Sequence, residues 1–336
     1  MRTIEAYIRK YVEKGRKART QQLDFFNNQR GVVLLMVLFA IVLLVILVIE
    51  FNYQSRIELK STLRFVDSEK AFFLARSGII AGEEILKNSM AGNYAGPDQL
   101  WAKTLPPYEV GEGTVQVSIA DEAGKADINL LRLGKTARSA GEAQIRRLFT
   151  LVIGDDREVD EIILWMACEN DFYYQGLKPS YTCQKNHSLE TLSELRLVRG
   201  MTDAIYSKIA PYLTIYPQNP DPNNGVNVNT ADPVVLQTIT YRDENGLYQF
   251  DLTLEMADEL VKARPLKGPG DLDNIGSFKS ASKLRLLSKQ IGFSSGYFTI
   301  SSIGNVHETR RKMTETVAKP SGGGNTKISR NFIRLE

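Results

Sequence analysis

Within the first 90 residues of this chain, the hydrophobic pattern changes from an uninterrupted apolar run to an amphipathic helical repeat. Residues 32–49 form an apolar run without a single charged side chain. At about 1.5 Å per residue, a helix of this length crosses a bilayer core of about 30 Å. Further along, Phe72, Ile79 and Leu86 recur at helical spacing between polar residues, which is typical of a helix that packs one face on a core. Because no proline interrupts residues 28–90, the pattern predicts one helix of about 60 residues.

Alternation of apolar and polar positions after this helix predicts strands. The predicted strands are residues 114–119, 297–303, 312–318 and 328–335, with a turn at Gly304-Asn305 and a looser turn at 321–325. The early strand most economically joins the late ones in one antiparallel sheet, whose apolar face needs the amphipathic part of the helix as a partner. The predicted fold class is therefore α+β, a long N-terminal helix packed on an antiparallel sheet.

Between the first strand and the last three, the pattern is mainly helical, over residues 130–292. Thr230 or Asp232 can cap a helix that reaches about residue 241, and Thr253 can cap a helix that ends at Ala263. We interpret this region as a large inserted α-helical domain with helix-hairpin-helix-like repeats of short helix, turn and helix.

Charge is divided unevenly along the chain. Residues 1–31 contain eight Lys and Arg against three acids, which leaves 34 bases and 36 acids in residues 32–336. By the positive-inside rule, the N-terminus is cytoplasmic and the rest lies beyond a single membrane span. A nearly neutral exported region does not favour polyanion binding.

Helix-hairpin-helix modules bind phosphate through backbone N–H groups at a turn with two glycines. The candidate turns around Gly200 and Gly276 have one glycine each, and residues 221–296 hold eight bases against ten acids. Nucleic-acid binding is therefore not favoured, and packing is the preferred role of these helices.

Candidate catalytic and metal-binding residues are few. Asp121-Glu122 could bind Ca²⁺ or serve acid/base chemistry, but we interpret the pair as part of a polar surface turn. No nucleophile elbow, Walker or dinucleotide glycine pattern occurs, and we predict no enzyme. Cys168 and Cys183 could form a disulfide worth about 3 kcal/mol in an oxidising compartment, or stay as two unpaired thiols.

Several motifs carry a family resemblance. Gln29-Arg30-Gly31 before an all-apolar helix resembles the class III signal of type IV pilins and type II secretion pseudopilins. More specifically, the chain resembles the minor pseudopilin K family of type II secretion. Four stretches in the family's order carry this similarity: residues 50–78, 121–129, 192–201 and 226–231.

The resemblance implies a processing site. A prepilin peptidase would cut after Gly31, and Val32 would become the N-methylated first residue of the mature chain. Major pilins place a glutamate at mature position five, which here is Met36. K subunits likewise lack that glutamate, as suits a subunit with nothing above it. Some members carry an acidic segment linked with Ca²⁺ after the equivalent of Trp165, but residues 165–171 are short and poor in acids, so no cofactor is expected and calcium has little support.

The resemblance also implies a pilin-like fold and an architecture. The predicted parts are a cleaved cytoplasmic leader (1–31), a transmembrane segment (32–49), a periplasmic helix (50–90), a first pilin-like part (91–129), an inserted α-domain (130–292) and C-terminal strands (293–336). The expected function is to cap the tip of the pseudopilus and start its assembly with minor pseudopilins of the I and J types, with exported substrates as further contacts. The alternatives are a membrane-anchored DNA-uptake receptor and a membrane-tethered hydrolase.

Overall fold

The computed structural model describes most of the chain and divides it into two compact units, Met1–Val66 and Asp67–Glu336. The described residues are 6, 8–15, 29–89, 94–132, 135–167, 188–217, 225–242, 248–249, 252–278, 290–319 and 329–335. The helices are α1 (residues 8–15), α2 (Gln29–Ser89), α3 (Lys135–Val152), α4 (Arg157–Ala167), α5 (Asp203–Ile209), α6 (Pro233–Leu236), α7 (Leu254–Lys262) and α8 (Pro269–Leu272). The strands are β1 (Tyr108–Val110), β2 (Gly113–Asp121), β3 (Ala126–Asp127), β4 (Leu213–Thr214), β5 (Val226–Asn227), β6 (Tyr241–Arg242), β7 (Tyr248–Gln249), β8 (Ile291–Gly292), β9 (Tyr297–Val306), β10 (Thr309–Ala318) and β11 (Ser329–Leu335).

Helix α2 has 61 residues, which confirms the long helix that the sequence predicts. In its first part, the large apolar side chains from Val32 to Ile49 are 45–71% exposed. By length and composition this helix can cross a membrane. In its second part, Ala71, Ala75 and Ile79 are at most 2% exposed, so this face carries the packing that the amphipathic pattern predicts.

The principal sheet has five antiparallel strands in the order β1-β2-β9-β10-β11. Strand β2 pairs with β9 from Gly113 opposite Val306 to Asp121 opposite Phe298. The early strand thus joins the late ones, as the sequence predicts, and everything between β2 and β9 is an insertion into the sheet.

The predicted turn at Gly304-Asn305 is wrong. Gly304 pairs with Arg311 inside a regular ladder, and the chain reverses at His307-Glu308, where His307 has a φ of 50°. The physical reason for the glycine is close packing. A Cβ on Gly304 would lie 2.2 Å from the carbonyl oxygen of Ala71 in α2.

Two glycines of α2 have the same role. A Cβ on Gly78 would lie 2.1 Å from the Ser302 hydroxyl, and a Cβ on Gly82 would lie 2.6 Å from the Ile300 side chain. Helix and sheet therefore approach each other through positions without side chains. The apolar core that they enclose contains Ala75, Ile79, Leu86, Ala95, Trp101, Phe298, Ile300, Met313 and Val317.

The inserted region builds two further apolar cores, one from residues between 126 and 216 and one from residues between 226 and 291. It is mostly helical, but among the described residues it also contains the short two-stranded sheets β3-β4, β5-β8 and β6-β7. The domain boundaries given above stay predictions.

Local predictions inside the insert have mixed outcomes. Asp232 caps α6 by accepting from the Val234 N–H at 2.9 Å, and Thr253 caps α7 by accepting from the Met256 N–H at 3.3 Å. However, α6 ends at Leu236 rather than near residue 241. Beyond it the hydrogen bonds leave the α-helical pattern, since the Thr238 N–H donates to the Val235 carbonyl and the Thr240 N–H donates to the side chain of Gln290 at 3.0 Å.

The helix-hairpin-helix-like repeats are not confirmed. Around Gly200 a 3₁₀ helix (Leu192–Leu197) precedes α5, and around Gly276 the four-residue α8 precedes a 3₁₀ turn (Gly276–Phe278). The predicted turn at 321–325 lies outside the described residues.

Candidate assembly and processing site

The predicted processing residues lie within α2 and are accessible. A Cβ on Gly31 would meet no atom within 4 Å. Val32 is 55% exposed and Met36 is 65% exposed. The structure therefore places the proposed cleavage point and the fifth following residue on an open helical surface, where Met36 presents an apolar side chain instead of a carboxylate.

The predicted disulfide cannot be placed, because Cys168 and Cys183 lie outside the described residues. So does the calcium-candidate segment after Trp165, from residue 168 onward. Across the described ranges there is no group of three or more His, Cys, Asp or Glu that could hold a metal ion. The disulfide and the calcium expectation therefore stay predictions.

A buried polar cluster connects the inserted domain to the sheet. We call it the polar junction and define it as Asp121, Glu122, Asn227, Thr230 and Ser295. Asp121 Oδ2 accepts from Asn227 Nδ2 at 2.7 Å, from Thr230 Oγ1 at 2.5 Å and from Ser295 Oγ at 2.5 Å. One carboxylate at the end of β2 thereby holds three side chains from two distant segments, residues 227–230 of the insert and Ser295 shortly before β9.

Glu122 makes the second set of contacts in the polar junction. Its carboxylate accepts from Thr214 Oγ1 at 2.7 Å, from Thr299 Oγ1 at 2.7 Å and from Lys125 Nζ at 2.9 Å. Thr214 belongs to the insert and Thr299 to β9 of the sheet. The two adjacent carboxylates therefore bind different elements and together fix how the insert is oriented on the sheet.

The interpretation of Asp121-Glu122 as a surface turn is wrong, because both residues are buried. Asp121 is 7% exposed and Glu122 is 5% exposed. Burial raises the pKa of Asp121, although the hydrogen bonds from Ser295, Thr230 and Asn227 oppose that rise. A buried carboxylate is tolerated here because its oxygens accept hydrogen bonds. Local sequence could not reveal this, since the partners from the insert lie more than 90 residues away.

Three asparagines in the resemblance motifs hold backbone segments together. Asn129 donates to the Ile215 carbonyl at 2.9 Å and accepts from the Leu189 N–H at 2.8 Å. Asn229 donates to the Leu266 carbonyl at 2.8 Å and accepts from the Leu266 N–H at 2.7 Å. Asn227 Nδ2 also donates to the Ala95 carbonyl at 3.1 Å. Sequence reasoning assigns these residues no role. For Asn227 and Asn229, the signal that could identify them is asparagine at alternate positions between apolar residues.

A glycine completes this arrangement. A Cβ on Gly124 would lie 2.6 Å from Thr230 Oγ1 and 2.9 Å from the Thr230 carbonyl carbon. The motifs at 121–129 and 226–231, which are distant in sequence, are therefore in direct contact. Their shared role in the fold gives a physical reason for the residue types that carry the resemblance.

A cleft of about 410 Å³ lies beside the polar junction. Trp101 and Ile119 line it from the sheet side, and Tyr212 and Arg264 line it from the insert. Arg264 already donates to the Val228 carbonyl at 2.8 Å and to the Ala231 carbonyl. Burial lowers the pKa of Arg264, while Asp232 opposes the change. This guanidinium therefore supports the backbone of the insert.

The long N-terminal helix, the antiparallel sheet on which its second part packs, and the helical insertion define a pilin-like fold with an inserted domain. A solved structure has this fold. The chain matches one from the crystal structure of the GspK-GspI-GspJ complex from the enterotoxigenic Escherichia coli type 2 secretion system, with a TM-score of 0.61 and 17% identity, over 84% of this chain and 99% of that one.

Sequence comparisons find similar proteins as well. A family model described as type II secretion system (T2SS), protein K, matches residues 124–218. Type II secretion system protein K of Aeromonas hydrophila is 24% identical over 85% of this chain and 92% of its own length. The protein of the same name from Klebsiella pneumoniae is 25% identical over 72% of this chain and 77% of its own length. These matches confirm the resemblance to the type II secretion protein K family.

Proposed function

We propose that this chain is a non-catalytic minor pseudopilin that caps the tip of a type II secretion pseudopilus and initiates its assembly. The observation that carries this proposal is the continuity of α2. One helix presents an exposed apolar run from Val32 to Ile49 and then packs on a sheet through residues such as Ala75 and Ile79. A helix of this kind holds a folded domain on a filament or membrane core formed by similar helices.

Capping follows from bulk and from the missing charge. The insertion between β2 and β9 adds two apolar cores to the pilin-like part, and this bulk is proposed to block the addition of a further subunit. Met36 offers no carboxylate to neutralise the methylated N-terminus of a neighbour. An unpaired charge in an apolar environment is costly, so a subunit without the glutamate is suited to a position with no neighbour above it.

The proposed partners are minor pseudopilins of the I and J types. The support is that the solved complex containing a chain of this fold is one of GspK, GspI and GspJ. The prepilin peptidase and exported substrates are further proposed partners. The proposed location is the inner membrane, with a cytoplasmic N-terminus and a periplasmic C-terminal domain, because basic residues are concentrated before the span.

Processing gives the direct test. Gly31 is the third residue of α2, and a helical glycine costs about 1 kcal/mol relative to alanine, so local opening of the helix at Gly31 has a low cost. Mass spectrometry of the protein from cells with the peptidase is expected to find Val32 as the N-terminal residue. Cells without the peptidase should retain the leader.

Two glycine substitutions form a matched pair for this experiment. Gly31→Val is expected to abolish cleavage, whereas Gly15→Val, at another leader glycine with no atom within 4 Å of a Cβ, should leave it intact. A fully functional secretion system in which the protein keeps residues 1–31 would refute the proposal.

A further inference from the structure

The predicted leader contains a short amphipathic helix. Residues 8–15 form α1, and its large apolar side chains Ile8, Tyr11 and Val12 are 58%, 66% and 63% exposed. These three positions are spaced by three and four residues, so they share one face of the helix. Ile4 continues the same spacing in the sequence.

Basic residues flank this apolar face. At about 100° per residue, Arg9 and Lys14 lie about 100–120° from Ile8 on opposite sides of the helix. Lys10 lies on the far side together with Glu13, the single acid of residues 8–15. Long basic side chains beside an apolar stripe can extend toward lipid headgroups while the stripe enters the boundary with the acyl chains.

The position of α1 in the chain indicates which surface it meets. Only residues 16–31 separate it from the apolar run that begins at Val32, and Arg16, Lys17 and Arg19 add further positive charge. A linker of this length keeps α1 near the bilayer that the span crosses, so the membrane surface is present at high effective concentration. The positive-inside rule accounts for basic residues in a leader, but it does not account for an apolar stripe on one helical face.

The geometry points to α1 as an interfacial helix that binds the anionic lipid surface of the membrane beside the processing site. Ile8, Tyr11 and Val12 enter the headgroup boundary, and Arg9 and Lys14 pair with lipid phosphates. The leader is then held along the membrane plane before cleavage instead of extending into the aqueous phase. The inference rests on the membrane anchoring and orientation in the proposed function, but it assigns the leader a partner of its own.

Hydrogen exchange on the full-length, uncleaved chain tests this inference. The protein is reconstituted into vesicles of phosphatidylcholine alone or with phosphatidylglycerol, and deuterium uptake is followed by mass spectrometry in a peptide that covers residues 8–15. We expect exchange to be about tenfold slower with phosphatidylglycerol, because basic residues near an anionic surface are attracted to it. Added salt should reverse the protection.

Adjacent positions provide matched variants. Val12→Gln places an amide on the apolar face and is expected to abolish the protection. Glu13→Gln introduces the same residue on the polar face and should preserve or increase it, because it removes a negative charge. Equal exchange in the two kinds of vesicle, or the same response from both variants, would overturn the inference.

The result can be separated from the proposed function. Reconstituted vesicles contain no peptidase and no secretion machinery, so this experiment does not depend on processing. Rapid exchange in α1 combined with normal cleavage at Gly31 in cells would refute the interfacial helix alone. Slow exchange combined with a leader retained in a working secretion system would refute the proposed function alone.

Discussion

Helix α2 meets the sheet through positions that lack side chains, whereas the inserted domain meets it through polar side chains that are buried. In the first contact, Gly78 and Gly304 leave room for backbone and side-chain atoms of the other element. In the second, Asp121 accepts a hydrogen bond of 2.7 Å from Asn227, and both residues are buried. One sheet therefore has one contact defined by shape and another defined by polar partners.

The difference teaches how each contact is specified. Close packing fixes the distance between two surfaces, and any added carbon is resisted by its neighbours. A buried polar contact fixes orientation, because a buried donor or acceptor without a hydrogen-bond partner destabilises the fold by its desolvation free energy. We infer that α2 is held at a defined distance from the sheet and that the insert is held in a defined orientation on it.

The largest expected effect comes from adding one methyl group to the shape-defined contact. In Gly304→Ala, the new Cβ would lie 2.2 Å from the Ala71 carbonyl oxygen and 2.8 Å from the Ala75 nitrogen. Both atoms belong to the backbone of α2, so relief requires moving the helix. We expect a loss of about 3 kcal/mol in the free energy of unfolding, measured as a lower Tm of the detergent-solubilised chain.

Gly296→Ala is the matched control, because a Cβ there would meet no atom within 4 Å. It lies immediately before β9, the strand that contains Gly304. Its Tm should stay close to that of the unmodified chain. Equal Tm values for Gly304→Ala and Gly296→Ala would show that helix and sheet are not held at the close distance described above.

The polar junction is expected to give the next largest effect. Asn227→Ala removes the Nδ2 donor to Asp121 Oδ2 and to the Ala95 carbonyl at 3.1 Å. These buried acceptors then lose a partner, and we expect a loss of about 2 kcal/mol in the free energy of unfolding. Limited proteolysis should also cut the insert faster than the sheet, because the lost contact holds the insert.

Asn88→Ala is the control for this change. Asn88 donates to Glu84 Oε1 at 3.0 Å on an exposed turn of α2, so its loss should alter the free energy of unfolding by less than about 0.5 kcal/mol. If both alanine variants lower the Tm equally, the polar junction does not have the special role assigned to it.

The two contacts also differ in how far the sequence predicts them. Helical spacing of Phe72, Ile79 and Leu86 predicts both the helix and its packed face, because such periodicity is a local property of the chain. The pairing of β2 with the late strands is predicted because one antiparallel sheet is the simplest arrangement that includes all the predicted strands. Gly304, in contrast, looks like a turn residue in its local sequence. Its actual role is close packing against Ala71, a residue more than 200 positions earlier, and local sequence does not show that contact.

The candidate site is predictable to a smaller extent. Gly31, Val32 and Met36 are assigned from their motif, and the structure places them on an accessible helix. The polar junction has no such motif, because Asp121 and Glu122 resemble any acidic turn until Asn227 and Thr214 are brought to them. Buried polar networks of this kind depend on long-range partners that have no local periodicity.

The smallest expected effect is a dependence of stability on pH, and it concerns a residue of the insert. Asp127 lies in β3, which begins the insert by pairing in parallel with Leu213-Thr214. Its carboxylate accepts from the Asn129 N–H at 2.9 Å. Burial raises the pKa of Asp127 to about 7, although the Asn129 hydrogen bond and Arg132 oppose the rise.

The direction of the pH effect follows from linkage. Between about pH 4 and the folded-state pKa, the folded chain keeps a proton on Asp127 that the unfolded chain has released. Stability from this residue is therefore greatest at low pH and is lost as the pH rises toward about 7. Because the Asp127 residue keeps partial contact with water, we expect the change in the free energy of unfolding to be about 1 kcal/mol.

Asp127→Asn isolates this contribution, because it keeps an acceptor for the Asn129 N–H but cannot ionise. Its Tm should fall less between pH 5 and pH 7 than that of the unmodified chain, by about a few degrees. Parallel Tm profiles for the two proteins would mean that Asp127 ionises alike in the folded and unfolded states. The stability of the insert would then not depend on the ionisation of Asp127.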